Sequence, residues 1–195
     1  LPDDVAYICE HTQCRMIQVE PAFIPQRGHH SQSTQKGAEM FVEAFLRAYD
    51  VAHKHRCRLS YPGGHVGGRP NSTFCSAPYR ALIATPAGNL VTCYEVTDEQ
   101  HPLFPISHVG RVEADTVTVD QGALGALHRM MEERRETCRD CFCYWDCAGD
   151  CYARTFGDQP GSHLLHGIRC DTNRAITKNL LLRAIAEGNG LADLR

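Results

Sequence analysis

Eleven cysteines stand in this 195-residue chain, and seven of them fall into two spacings suited to metal chemistry. The first is Cys138-x2-Cys141-x5-Cys147-x3-Cys151, with Cys170 after a further eighteen residues. Two residues between thiolates let one short turn offer both sulfurs to a single ion or cluster, as zinc and iron–sulfur sites require. Gly149, inside this run, frees the backbone to turn beside a bulky ligand. The second spacing is Cys75-x12-Gly88-x4-Cys93. It puts one cysteine on an arm of a hairpin centred on Pro86-Ala87-Gly88-Asn89 and the other on or just before the opposite arm. Pairing across that turn brings together sulfurs far apart in sequence.

Disulfides are the competing use of so many cysteines. Disulfide scaffolds are usually short, secreted and even in their cysteine count. This chain is longer, its count is odd, and its first residues, Leu-Pro-Asp-Asp, carry no secretory signal. A cytoplasmic location is therefore expected, where thiols stay reduced and clustered ones bind metal. The formal charge of −3, without a long basic run, gives no electrostatic reason to expect nucleic acid or an anionic membrane. No stretch approaches the roughly 18 apolar residues of a membrane span. The chain begins with leucine, and a longer parent protein is expected.

In order, C-x12-G-x4-C, then C-x2-C-x5-C-x3-C, then C resembles the SPASM domain, the auxiliary-cluster module at the C-terminus of radical SAM peptide-modifying enzymes. The resemblance runs from about Cys75 to Cys170. It implies two interleaved [4Fe–4S] clusters: Cys75, Cys93 and Cys151 on the first, and Cys138, Cys141, Cys147 and Cys170 on the second. Some members carry an eighth cysteine shortly before the first; the matching position here is Arg69. Cys57 is then the nearest upstream ligand, or the first cluster keeps an open iron for a substrate thiolate or another exogenous ligand. Sulfatase-maturing members place an aspartate after the second cysteine. Here Tyr94 and Glu95 follow Cys93, which points away from that reaction and makes these two residues the candidates for an acid or radical-relay role.

The C-x3-C-x2-C triad of the SAM-cleaving cluster is absent from the sequence. SAM and a third [4Fe–4S] cluster would therefore belong to a preceding half, and this part alone is expected to be inactive. The resemblance implies oxidative modification of a peptide or protein, such as a thioether or carbon–carbon crosslink, with a ferredoxin or flavodoxin as reductant. A structural zinc or interaction module, a two-cluster electron-transfer protein and a disulfide-rich extracellular domain are the alternatives.

The elements that must position these residues read as α+β. Residues 1–60 resemble the end of a partial (β/α)6 barrel with its connecting helix, and 61–195 the auxiliary-cluster domain. Cys14 to Pro21 reads as a buried strand, with Cys9 and Cys14 as strand or core residues. A polar loop spans Gln26 to Gln35, and a helix capped by Ser33 or Thr34 follows. Its stripe of Phe41, Phe45, Ala48 and Ala52 ends at the basic run His53 to Arg56. Strands are predicted over Arg58–Tyr61, Arg80–Thr85, Leu90–Val96, Ile106–Val112 and Thr116–Val119. Helices are predicted over Gln121–Glu136 and Asn173–Ala186, and a glycine-rich loop over Pro62 to Gly68. Cys143, outside the pattern, reads as a packed or exposed thiol. Phe142 and Trp145 read as an apolar shell around the clusters. His29, His30, His53 and His55 read as solvated, and Glu20 as either a site residue or a strand-end polar group.

Overall fold

The computed structural model describes residues 1–21, 34–64, 70–154 and 167–188. The readings on Ser33, His29, His30, Arg69, Gly67 and Gly68, and on most of the Gln26–Gln35 loop, lie outside them. The α+β class holds, with small sheets and no barrel among the described residues. The chain divides into two units that are not consecutive stretches. The first holds the described residues of Leu1–Ser72, Cys141–Ala148 and His166–Arg195, and the second those of Thr73–Asp140 and Gly149–Leu165.

The first unit opens with a helix ahead of the strand expected over Cys14–Pro21, and Cys9 is a core residue within that helix. This α1 (Pro2–His11) has Pro2 in its first turn with Asp3 and Asp4, and it buries Val5 and Cys9, four residues apart on one face. Strand β1 is short (Met16–Gln18), and it is not buried: Met16 is 66 % exposed. Helix α2 (Gln35–Lys54) follows its predicted stripe, and the Thr34 hydroxyl accepts from the Gly37 N–H at 3.0 Å as the cap. It closes through Arg56 in the left-handed region (φ 55°), with the Cys57 N–H bonded back to the Ala52 carbonyl at 2.9 Å. The chain then forms β2 (Arg58–Ser60), parallel to β1 with Ile17 opposite Leu59. Two parallel strands need such a crossover helix, which makes this a βαβ unit.

The core of this unit is Val5, Phe45, Ala48, Ala52, Leu59 and Tyr61, completed by Ile176 and Leu180 from the last helix. The Phe41, Phe45 and Tyr61 rings meet with centroids 5.8–6.2 Å apart. Each such large side chain, fully buried, contributes about 1.5–3 kcal/mol.

The second unit is built on a four-stranded antiparallel sheet in the order β3-β4-β5-β6 (Ile83–Ala84, Asn89–Val91, His108–Glu113, Thr116–Val119). The predicted hairpin is β3–β4, where Gly88 takes φ 81° and the Thr85 N–H bonds the Asn89 carbonyl at 2.8 Å. A Cβ on Gly88 would sit 2.7 Å from the Val112 carbonyl oxygen, so the neighbouring strand also requires glycine there. Two predicted strands lose their first residues to short helices, α3 (Ala77–Arg80) and α4 (Phe104–Ser107), each with a proline in its first turn. Helix α5 (Gln121–Glu136) matches its prediction and is capped by Asp120, which accepts from the Ala123 N–H at 2.9 Å. Leu127 is its buried apolar anchor.

Back in the first unit, α6 (Tyr144–Cys147) is a single turn within the cysteine-rich run. Helix α7 (Ile168–Ala186) starts five residues before its predicted first residue, so Cys170 lies in its first turn rather than in a loop. Among the described residues no helix is long and apolar enough to cross a membrane.

Candidate metal centres

All eleven cysteines are free thiols. In the second unit Cys75 precedes α3, and Cys93 opens a turn closed by the Val96 N–H on the Cys93 carbonyl at 3.1 Å. Cys93 and Cys151 both pack against the small core of Val91, Val96, Leu103 and Ala153, although 58 residues separate them in sequence. Burial pushes the Cys93 thiol up and the Cys151 thiol up to about 12. Hydrogen-bond donors oppose that: the Glu95 N–H and the Tyr152 hydroxyl at Cys93, and the Arg154 and Ala153 N–H groups at Cys151. Tyr152, 3 % exposed, also lies 3.4 Å from the hydroxyls of Thr92 and Ser107, and burial raises its own pKa.

These are sulfurs that hold their protons when alone, because burial and the nearby Glu95 and Asp150 carboxylates outweigh the hydrogen-bond donors. A coordinated metal deprotonates such a thiol outright and supplies the missing positive charge. The donor set therefore fits thiolate ligation of a metal or cluster. Among the described residues no three Cys, His, Asp or Glu side chains close on the position of one ion. A four-iron cube spaces its thiolates more widely than a single ion does.

In the first unit, Cys141 accepts the Tyr144 N–H on its carbonyl at 2.9 Å, opening the turn that carries Cys147 at the end of α6. Helix α7 answers with a donor and a cation. Asn173, 1 % exposed, gives its Nδ2 to Cys147 Sγ at 3.2 Å, and Arg174 lies near Cys141 and Cys170, which raise its pKa. Of the two placements open for Cys143, packed or exposed, it takes the first: it is 2 % exposed and its thiol is pushed up to about 12 by burial. Phe142 and Trp145 do not form the expected closed apolar shell: they are 57 % and 53 % exposed. Cys138 belongs to the second unit, where its N–H bonds the Arg135 carbonyl just past α5.

Between Cys147 and Cys151 three successive residues are left-handed: Ala148 (φ 49°), Gly149 (φ 86°) and Asp150 (φ 58°). For the two non-glycine residues this costs roughly 1–2 kcal/mol each, the kind of strain that collects at functional sites. A continued helix would put residues four apart on one face. The left-handed run prevents that, and Cys147 and Cys151 belong to different units.

The remaining candidates are placed as follows. Tyr94 is 70 % exposed on the turn after Cys93, and Glu95 is half-buried beside it. Cys57 is buried in the first unit's core beside Cys9, its sulfur 3.9 Å from the Cys14 carbonyl. Glu20 is a strand-end ion-pair partner, with Oε1 3.4 Å from Arg169 Nη2. His55 sits 3.6 Å from Glu10. Asn173, Arg174 and Tyr152 were not singled out from sequence. The available signal was their spacing: Asn173 and Arg174 stand three and four residues after Cys170, neighbours of it on one helix face. No family model matches the chain, and no curated protein or solved structure matches it.

Proposed function

We propose that this chain is the C-terminal auxiliary-cluster region of a radical SAM enzyme that oxidatively modifies a peptide or protein. In this reading Cys75, Cys93 and Cys151 hold one [4Fe–4S] cluster, and Cys138, Cys141, Cys147 and Cys170 hold the other. The observation that carries it is the partition of the cysteines. Cys75, Cys93 and Cys151 fall in one compact unit and Cys141, Cys147 and Cys170 in the other, while Cys138 falls with the first three. That interleaving is what the resemblance to the SPASM domain implies, and a simple C-x2-C zinc knuckle gives no reason for it.

The clusters supply one-electron chemistry at a potential set by their ligands, hydrogen bonds and exposure. The chain's own contribution is to hold them. Buried thiols, backbone N–H groups, the Tyr152 hydroxyl and the Asn173 amide define the sulfur environment. Cys57 is engaged within its own core, which favours an open iron on the first cluster over a fourth protein thiolate. Tyr94, exposed two positions before the buried Val96, is the residue best set to meet a substrate beside that iron.

The test is iron, acid-labile sulfide and zinc per chain on protein prepared without oxygen, with an absorbance spectrum. About eight irons and eight sulfides with a broad band near roughly 400 nm support the reading. Zinc without sulfide overturns it.

A further inference from the structure

Asn173 is a buried amide whose two ends are both engaged. Its Oδ1 receives the Tyr61 hydroxyl at 2.7 Å, and its Nδ2 points at Cys147 Sγ, 3.2 Å away. Burying an amide is unfavourable unless it is hydrogen-bonded. Tyr61, 1 % exposed in the aromatic core, fixes which end faces the sulfur. With the hydroxyl donating to the oxygen, the amide N–H is the end left for Cys147.

The turn after β2 is shaped around the same side chain. A Cβ on Gly63 would fall 2.6 Å from Asn173 Cγ, so glycine there admits the carboxamide. Arg174, next to Asn173 in sequence, lies near Cys141 and Cys170, and Cys170 lies one helical turn before both. Helix α7 thus carries Cys170, a neutral N–H donor to Cys147 and a nearby cation.

Resting on the reading of Cys141, Cys147 and Cys170 as cluster ligands, we propose that the Asn173 hydrogen bond, with the nearby Arg174 cation, raises the reduction potential of that cluster, with Tyr61 as the positioning residue. Hydrogen bonds to ligand sulfur draw electron density from the metal centre and favour its more negative, reduced state.

The experiment is potentiometric titration, followed by electron paramagnetic resonance, of the reconstituted chain and of the Asn173→Asp, Gly63→Ala and Arg174→Gln variants. Asn173→Asp keeps an acceptor for Tyr61 and replaces the N–H with a carboxylate oxygen. Gly63→Ala displaces the amide without altering it, and Arg174→Gln removes the cation from a residue outside the tightest core. Each is expected to lower the potential of one cluster by about 59 mV or more, a tenfold change in its reduced-to-oxidised ratio at fixed potential. The other cluster stays where it was. Iron-loaded variants with wild-type potentials overturn the inference and leave the two-cluster reading intact. A wild-type chain that takes up no iron and sulfide overturns both.

Discussion

Cys147 and Cys151 stand only four residues apart, yet the reading gives them to different clusters. Replacing each with alanine removes one sulfur from a different set, because the left-handed run of Ala148 to Asp150 separates them into different units. Each single variant is expected to fall from about eight irons to about four, with sulfide in proportion. The double variant should fall close to zero, since losses at independent sites add. Cys143→Ala is the matched control: it removes a thiol from the same stretch that the pattern leaves out, and it should keep about eight irons. The assay is iron and sulfide per folded chain after anaerobic reconstitution, with circular dichroism to confirm that helix content survives. A double variant that still holds about four irons would mean that the two cysteines serve one cluster, and the interleaving would be refuted.

Three further outcomes test the scaffold. Phe45→Ala, at a fully buried ring between Phe41, Tyr49 and Tyr61, should cost about 3–5 kcal/mol in denaturant unfolding. Thr34→Ala removes the acceptor for the Gly37 N–H and should cost about 1 kcal/mol in the same assay, with no change in iron content. The pKa of Tyr49 is raised, first by burial and then by Glu187, so folding favours its neutral form. Its contribution is complete below the ordinary tyrosine value and is lost as pH rises through the raised one. Tyr49→Phe should therefore flatten the alkaline loss of stability, and an unchanged pH profile would count against that burial.

Much of the scaffold was legible because it is local. Helix α2 announces itself by a cap and a stripe, and the β3–β4 hairpin by one glycine between two apolar runs. Helix α1 carries the ordinary helix-start signals Pro2, Asp3 and Asp4, but only Val5 and Cys9 form its buried face, too short a stripe to set a clear period. The start of α7 was missed for a different reason. Its apolar residues are spread around the helix, with Arg169, Thr172, Asn173 and Thr177 buried alongside Ile176 and Leu180. No periodic stripe marks such a helix. The roles of Asn173 and Arg174 depend on where Cys141 and Cys147 come to lie, and sequence spacing alone does not carry that information.

The chain enters the first unit, leaves it after Ser72, returns for eight residues at Cys141–Ala148, leaves again, and returns for its last helix. During synthesis, Phe45 and Tyr61 are made more than a hundred residues before Ile176 and Leu180, which complete their core. The second unit has all its strands and α5 by then, while the first must wait with an open apolar face. Contacts of such long sequence separation slow folding. A chain released before α7 is made should leave its first unit incomplete and open to proteolysis. The order of translation would thus complete the two proposed thiol sets at different times: Cys151 closes the first, and Cys170, on the last helix, closes the second.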